Sequence, residues 1–251
     1  MTTSPRRLKL VVAYDGGPFA GWQSQAHGNT IQDHLERAIR KVSGEDARVH
    51  GSGRTDTGVH ALEQCAHFDL NQCGLNPLEL QKALNAILPG TIRVLRCSVA
   101  SPKFHARFDV KSKTYRYRIW NAPVLPPFEL GRVWHLTKPL NVTLMKSALA
   151  KFAGRHDFAA FSANPGNKRE DTIRTVMSAR LTKKAACITI EIEGDGFLYK
   201  MVRMIVGAVF LHNEGKLTLE EISKALAHGP GKAQRPLVAP AAGLFLRRVR
   251  Y

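Results

Sequence analysis

Gly51-Ser52-Gly53-Arg54-Thr55-Asp56-Thr57-Gly58-Val59-His60-Ala61 is the stretch on which the reading of this chain turns. Three glycines within its first eight residues exclude a stable helix or strand interior, so the backbone turns tightly here. Between them stands one carboxylate, Asp56, two residues from one guanidinium, Arg54. Alone, such a loop reads as a solvated turn whose aspartate bonds nearby backbone amides. The flanking segments give it another setting.

Upstream, residues 8–14 form a β-rich run that ends in the turn Asp15-Gly16-Gly17-Pro18. Thr30 with Asp33 reads as a capping box opening a helix. Its apolar stripe is Ile31, Leu35, Ala38, Ile39 and Val42, and Gly44 stops it. Residues 48–52 lead into the loop, and 62–70 leave it as a second strand-like run. Asn76, Pro77 and Glu79 start another helix, with Leu80, Ala83, Leu84, Ile87 and Leu88 on one face. Residues 92–99 come next as a strand. The order β-α-β-β-α-β is the split pattern of a ferredoxin-like (RNP-like) α/β sandwich.

The second half repeats that order. Residues 114–120 alternate, with Tyr115, Tyr117 and Ile119 on one face and Arg116 and Arg118 on the other. A proline-rich connection leads to a helix bearing Met145, Ala148, Leu149 and Phe152, which ends at Gly154. Residues 155–171 read as an irregular, mobile loop. Strands at 173–182 and 187–193 are expected to join through a turn around Lys183-Lys184. Helices at 201–214 and 219–228 come after them, the latter capped by Thr218 and Glu221, and 244–251 closes the chain as a strand. Two halves result: residues 1–104 carrying the aspartate loop, and 105–251 carrying Tyr115 and Arg203.

From residue 200 to 211 the helix is apolar almost all round, and Lys200, Arg203 and Gly207 share one narrow strip. Such a helix is buried, so the Arg203 guanidinium needs an anion. An ordinary ion pair with any nearby carboxylate satisfies that need; Asp56 is the sharper hypothesis.

The chain has 251 residues, enough for one large domain or two small ones. Lys and Arg outnumber Asp and Glu by 37 to 20, a formal net charge of +17. That excess points to a polyanion, nucleic acid before membrane, because the apolar runs are short and the cations scattered. No apolar signal core precedes residue 8, so a cytoplasmic protein is expected. Cys65, Cys73, Cys97 and Cys187 show no metal or redox spacing and read as reduced thiols.

The loop sequence resembles the catalytic segment of the tRNA pseudouridine synthase A family, usually G-R-T-D-A-G-V-H-A. Four further segments match in order along nearly the whole chain. These are Tyr14-Asp15-Gly16 with Gly21-Trp22-Gln23-Ser24-Gln25, then Phe104-His105-Ala106-Arg107-Phe108 with Thr114-Tyr115-Arg116-Tyr117, then residues 195–207, then Ala239-Pro240-Ala241-Ala242-Gly243-Leu244. Thr57 departs from the usual alanine, and Ser162 stands where an arginine is expected, leaving a basic contact there unsupported.

The resemblance implies an isomerase converting uridine to pseudouridine in the anticodon arm of tRNA, at positions 38, 39 and 40, with no metal or organic cofactor. It also implies a pseudouridine synthase fold, two ferredoxin-like halves sharing a largely antiparallel central sheet, and a homodimer that holds tRNA. Asp56 is then the reacting carboxylate and Arg203 the cation that keeps it ionised. Arg54 fills the gap left by the everted base or holds that base, and Tyr115 stacks on it. Lys9, Arg116, Arg118, Lys168, Arg169, Lys183, Lys184 and Lys200 are phosphate contacts in this reading, each equally readable as a solvated charge.

Other readings compete. Asp56-Thr57-Gly58 is the triplet of aspartic proteases, but no second copy exists and Arg54-Thr55 precedes it. No G-K-[ST] comes after the glycines, and zinc-deaminase signatures are missing. A non-catalytic tRNA-binding module or chaperone on the same fold remains, and it predicts binding without product.

Overall fold

A computed structural model of the chain describes residues 5–26, 28–163, 171–228 and 237–251. In chain order the strands and helices are β1 (Arg6–Tyr14), α1 (Ile31–Ser43), β2 (His50–Gly51), β3 (His60–Leu70), α2 (Pro77–Ile87), β4 (Ile92–Val99) and β5 (Ser112–Asn121). Then come β6 (Trp134–Leu136), α3 (Val142–Ala150), β7 (Gly154–Asp157), β8 (Ile173–Lys184), β9 (Cys187–Gly194), α4 (Met201–Asn213), α5 (Leu219–His228) and β10 (Leu244–Arg250). β1 pairs antiparallel with β3 and β4, β2 with β3, β5 with β9, and β8 with β7 and β9, whereas β10 meets β3 and β6 meets β5 in parallel.

The chain divides into two compact units, Met1–Lys111 with Phe245–Tyr251, and Ser112–Leu244. The division therefore falls seven residues beyond the expected one, and the closing strand returns to the first unit. Local bonding accounts for both. The Arg7 guanidinium donates to the carbonyls of Pro102 and Phe104, and the Ala106 N–H donates to His67 Nδ1. The Tyr251 hydroxyl donates to the Ala106 carbonyl, and the Lys111 N–H to the carbonyl of Arg250. Residues 102–111 are thus tied to the strands of the first unit and belong with them.

In the first unit the strands run β4-β1-β3, with β2 on the outer edge of β3, the ferredoxin-like order. Register pairs Leu8 with Phe68 and Leu10 with Ala66, so one face is apolar and fully buried. The helices supply its cover, with Ile31, Leu35, Ala38 and Ile39 buried on α1 and Leu80 and Leu84 on α2. Both begin where the capping boxes place them, at Thr30–Asp33 and Asn76–Glu79. Gly44 ends α1 in the left-handed region.

In the second unit β5 pairs β9, β9 pairs β8, and β8 pairs β7. Ile188, Ile190 and Ile192 form one buried row, and α3 packs on α4 and β8. Two expectations need correction here. Residues 154–157 form the edge strand β7 rather than opening an irregular loop; the loop's residues 164–170 lie outside the described ones. The β8–β9 turn is not at Lys183-Lys184, which pair with Ile188 and Cys187 inside the ladder. It is made by Ala185 and Ala186, Ala185 taking the positive φ of 50° that a two-residue hairpin requires.

The first unit also brings three histidines together, of which only His67 is buried. His67 is 2% exposed and stacks against His50 and edge-on to His105. Burial, with the neighbouring His105, His50 and Arg7 opposing Asp69, pushes its pKa down to about 4. An unfolded histidine titrates near 6.5. The stability that His67 contributes is therefore complete above about pH 6.5 and is lost as pH falls towards 4. Denaturant unfolding at pH 7 and pH 5 should differ by about 1–2 kcal/mol from this group. His67→Asn, which keeps an acceptor for the Ala106 N–H without the titration, should shrink that difference; an unchanged pH dependence would contradict the assignment.

Candidate active site

The loop between β2 and β3 is fixed by its neighbours within the first unit. The Trp22 N–H donates to the Thr55 carbonyl at 3.0 Å, and the Thr55 hydroxyl meets the Tyr14 hydroxyl at 2.8 Å. Thr55 and Tyr14 are both buried, and burial raises the Tyr14 pKa far above its ordinary value, so that phenol stays neutral. The Ser52 N–H donates to the Cys65 carbonyl, the Ser52 hydroxyl to the Gln64 side-chain oxygen, and the Gln64 amide to the Gly53 carbonyl. His60, 2% exposed, accepts the Gly16 N–H at Nδ1 and stacks on Phe245.

Asp56 opens a turn closed by Val59. Its carbonyl accepts the Val59 N–H at 3.1 Å, and Gly58 has a φ of 77°, the positive value a type II turn demands at its third residue. Asp56 itself is half-buried, whereas Arg54 and Thr57 on either side are exposed. Gly21 explains why the upstream segment travels with this loop. Its φ is 93°, and a Cβ there would lie 2.7 Å from the Thr55 carbonyl oxygen and 3.2 Å from the Asp56 carbonyl carbon. Two stretches of backbone are in direct contact, with no room for a side chain between them.

Arg54 donates through Nε to the Gln23 side-chain oxygen at 3.2 Å, so the two expected residues of the loop are held by separate supports. Tyr115 lies on β5 in the second unit. It is buried, opposite Ile192, with its ring edge-on to Phe197 at 5.0 Å. Arg203 stands in the first turn of α4. Its Nε donates to the Ala239 carbonyl at 2.7 Å, while the Ala239 N–H donates to the Arg203 carbonyl at 3.1 Å. One turn on, a Cβ at Gly207 would lie 1.7 Å from the Leu237 carbonyl oxygen. The strip that interrupts the apolar face of α4 is thus where residues 237–239 are laid, and the Tyr117 hydroxyl holds the next carbonyl, that of Pro240. The need of Arg203 for acceptors is met in part by backbone, a partner the sequence pattern does not reveal.

The expected phosphate contacts fall into three groups. Lys9, Arg116 and Arg118 have partners inside their own units. Lys9 Nζ sits over the Phe104 and Tyr251 rings, Arg116 donates to Glu191 at 2.9 Å, and Arg118 pairs with Glu129 at 2.8 Å. Lys183 and Lys184 are exposed at the end of β8, and Lys200 lies over Tyr199 in the left-handed region. Lys168 and Arg169 lie outside the described residues. Sequence reasoning missed the supports of the loop: Tyr14, Ser52, Thr55, Gln64, Gln23 and the buried Gln32. Tyr14, Ser52, Thr55 and Gln23 lie in the quoted motifs without a supporting role being legible there, whereas Gln64 and Gln32 lie in none and no periodicity marks them.

A family model described as tRNA pseudouridine synthase matches residues 10–109 and 148–251. A protein called tRNA pseudouridine synthase A from Akkermansia muciniphila is 42% identical, over 98% of this chain and 95% of its own length. One of the same name from Methylacidiphilum infernorum is 41% identical, over 97% of this chain and 94% of its own. Another, from a Thermoanaerobacter species, is 40% identical over 98% and 100%.

The backbone contact at Gly21 yields a direct test. Gly21→Ala places a methyl group against the Thr55 carbonyl and strains φ, so it should destabilise the fold by about 2 kcal/mol or more. Thermal unfolding measures this, and an unchanged Tm would mean that the two segments do not pack as described.

Proposed function

The chain belongs to the tRNA pseudouridine synthase family, and on that premise we propose that it isomerises uridines 38, 39 and 40 of the anticodon arm with Asp56 as the reacting carboxylate. The reaction class is the family's: uridine in tRNA becomes pseudouridine. The match over nearly the full length carries this reading. The anchored loop supports the assignment of Asp56.

The product is an isomer of the substrate. The bond from ribose C1′ to uracil N1 breaks and one from C1′ to C5 forms, while C5 loses a proton and N1 gains one. No oxidant, reductant or group donor enters the balance. One carboxylate suffices, adding to sugar or base or removing a ribose proton. Each route asks the fold for the same thing: an ionised oxygen held in place beside an extruded nucleotide.

Eversion of the base costs a few kcal/mol. In this reading Arg54, exposed beside Asp56, takes the vacated position or holds the base, and Tyr115 stacks on the uracil, worth roughly 1–3 kcal/mol. Tyr115 is buried against Phe197, so stacking requires that edge to open towards the nucleotide. In this reading Arg203 is the cation assigned to the carboxylate. The net charge of +17 supports binding to the phosphate backbone, with Lys183 and Lys184, exposed at the end of β8, and Lys200 among the contacts in this reading. A homodimer in the cytoplasm completes the proposal.

Incubating the protein with an unmodified tRNA transcript and mapping the product tests the function. Pseudouridine at 38, 39 or 40 is the expected result, and tRNA bound without any pseudouridine would instead establish a binding module. The tRNA affinity should fall steeply with salt, by roughly 10³-fold or more between 50 and 200 mM if six or more phosphates are neutralised. A flat response would contradict the backbone contacts. Arg203→Met should remain folded and lose at least about tenfold in kcat; unchanged turnover would leave Arg203 a packing residue.

A further inference from the structure

A run of side chains with a fixed hydrogen-bond direction lies behind Arg54. Glu36 on α1 accepts the Val49 N–H at 2.9 Å, the Gln32 Nε2 at 2.8 Å and the Arg48 guanidinium at 3.3 Å. Gln32, 2% exposed, also donates from Nε2 to the Val49 carbonyl at 3.1 Å. Its oxygen accepts the Ser24 N–H at 2.9 Å and the Gln23 Nε2 at 2.8 Å. The Gln23 oxygen is left facing Arg54 Nε at 3.2 Å.

None of these amides can be turned round. A carboxylate and a carbonyl only accept, so Gln32 must offer them its nitrogen. The Ser24 N–H only donates, so Gln32 must offer it oxygen. Gln23 must therefore spend its nitrogen on Gln32 and present oxygen towards the loop. A guanidinium has donors and no acceptor, and it is the group found there. Burial of Gln32 makes the arrangement costly to break, because an unsatisfied buried amide loses about 1–3 kcal/mol.

We propose that Gln23 is a positioning residue for Arg54, its orientation set through Gln32 by the carboxylate of Glu36. The inference rests on the role read for Arg54 at the everted nucleotide. An exposed arginine on a loop has many rotamers, and anchoring Nε removes most of them before RNA arrives. The end of the guanidinium is then delivered in one direction, two residues from Asp56.

Gln23→Leu removes both amide atoms and leaves the Ser24–Gln32 bond intact; Gln23→Met serves if leucine disturbs the fold. The first readout does not depend on activity. The Arg54 Nε–H signal, monitored by NMR, should exchange slowly with water in the wild type and at least about tenfold faster in the variant. Single-turnover conversion of tRNA should slow about tenfold, with tRNA affinity changed less than twofold. In an Arg54→Ala background the same substitution should change the rate by less than twofold, because nothing remains to position. Equal Nε–H exchange in wild type and variant overturns the proposal. So does a full, additive loss in the Arg54→Ala background, which would make Gln23 an independent RNA contact. Full activity in Arg54→Ala alone defeats the role of Arg54, and the relay with it, whereas loss in Arg54→Ala beside full activity in Gln23→Leu defeats the relay alone.

Discussion

The contact between the backbone at Gly21 and the backbone at Thr55–Asp56 is the constraint on which the candidate site depends. A loop with three glycines has little intrinsic order, and each residue fixed costs about 1–2 kcal/mol of conformational entropy. Here the ordering is supplied from outside. The Trp22 N–H, the Tyr14 hydroxyl and the missing side chain at Gly21 all meet Thr55, the residue before the carboxylate. Rigid placement of one half-buried acid is what the role proposed for Asp56 asks of the fold, because a carboxylate acts through its position and its charge.

The same economy recurs in the second unit. The strip on α4 that looks like an interruption of an apolar helix is a track for residues 237–239, with Gly207 giving way to the Leu237 carbonyl and Arg203 gripping that of Ala239. A charged side chain on a buried helix is thereby tied to backbone at one of its nitrogens. In both units a glycine and a polar side chain act together, the first allowing close approach and the second fixing its direction.

Much of this architecture is legible in the sequence. Capping boxes at Thr30 and Asn76 mark helix starts because side chain and backbone must satisfy each other locally, and alternation along β5 and β9 arises from one covered face. The features that escape notice depend on distant partners. β7 is short and half-exposed at a sheet edge, so it lacks the apolar alternation of a strand, and Lys183-Lys184 resembles a turn although the turn falls on two alanines. The division after residue 104 fails because His67, Arg7 and Tyr251 claim the adjoining segment through contacts that no local pattern encodes. At the site, Asp56 and Arg54 stand out by motif, while Gln32 is invisible: it lies off the apolar stripe of α1 and is buried all the same.

The most direct test of the account replaces the carboxylate alone. Asp56→Ala, compared with the wild type at equal tRNA occupancy, should fold with an unchanged melting profile, bind tRNA as tightly and form no pseudouridine over many wild-type turnover times. Pseudouridine formed by that variant at the wild-type rate would place the chemistry on another residue.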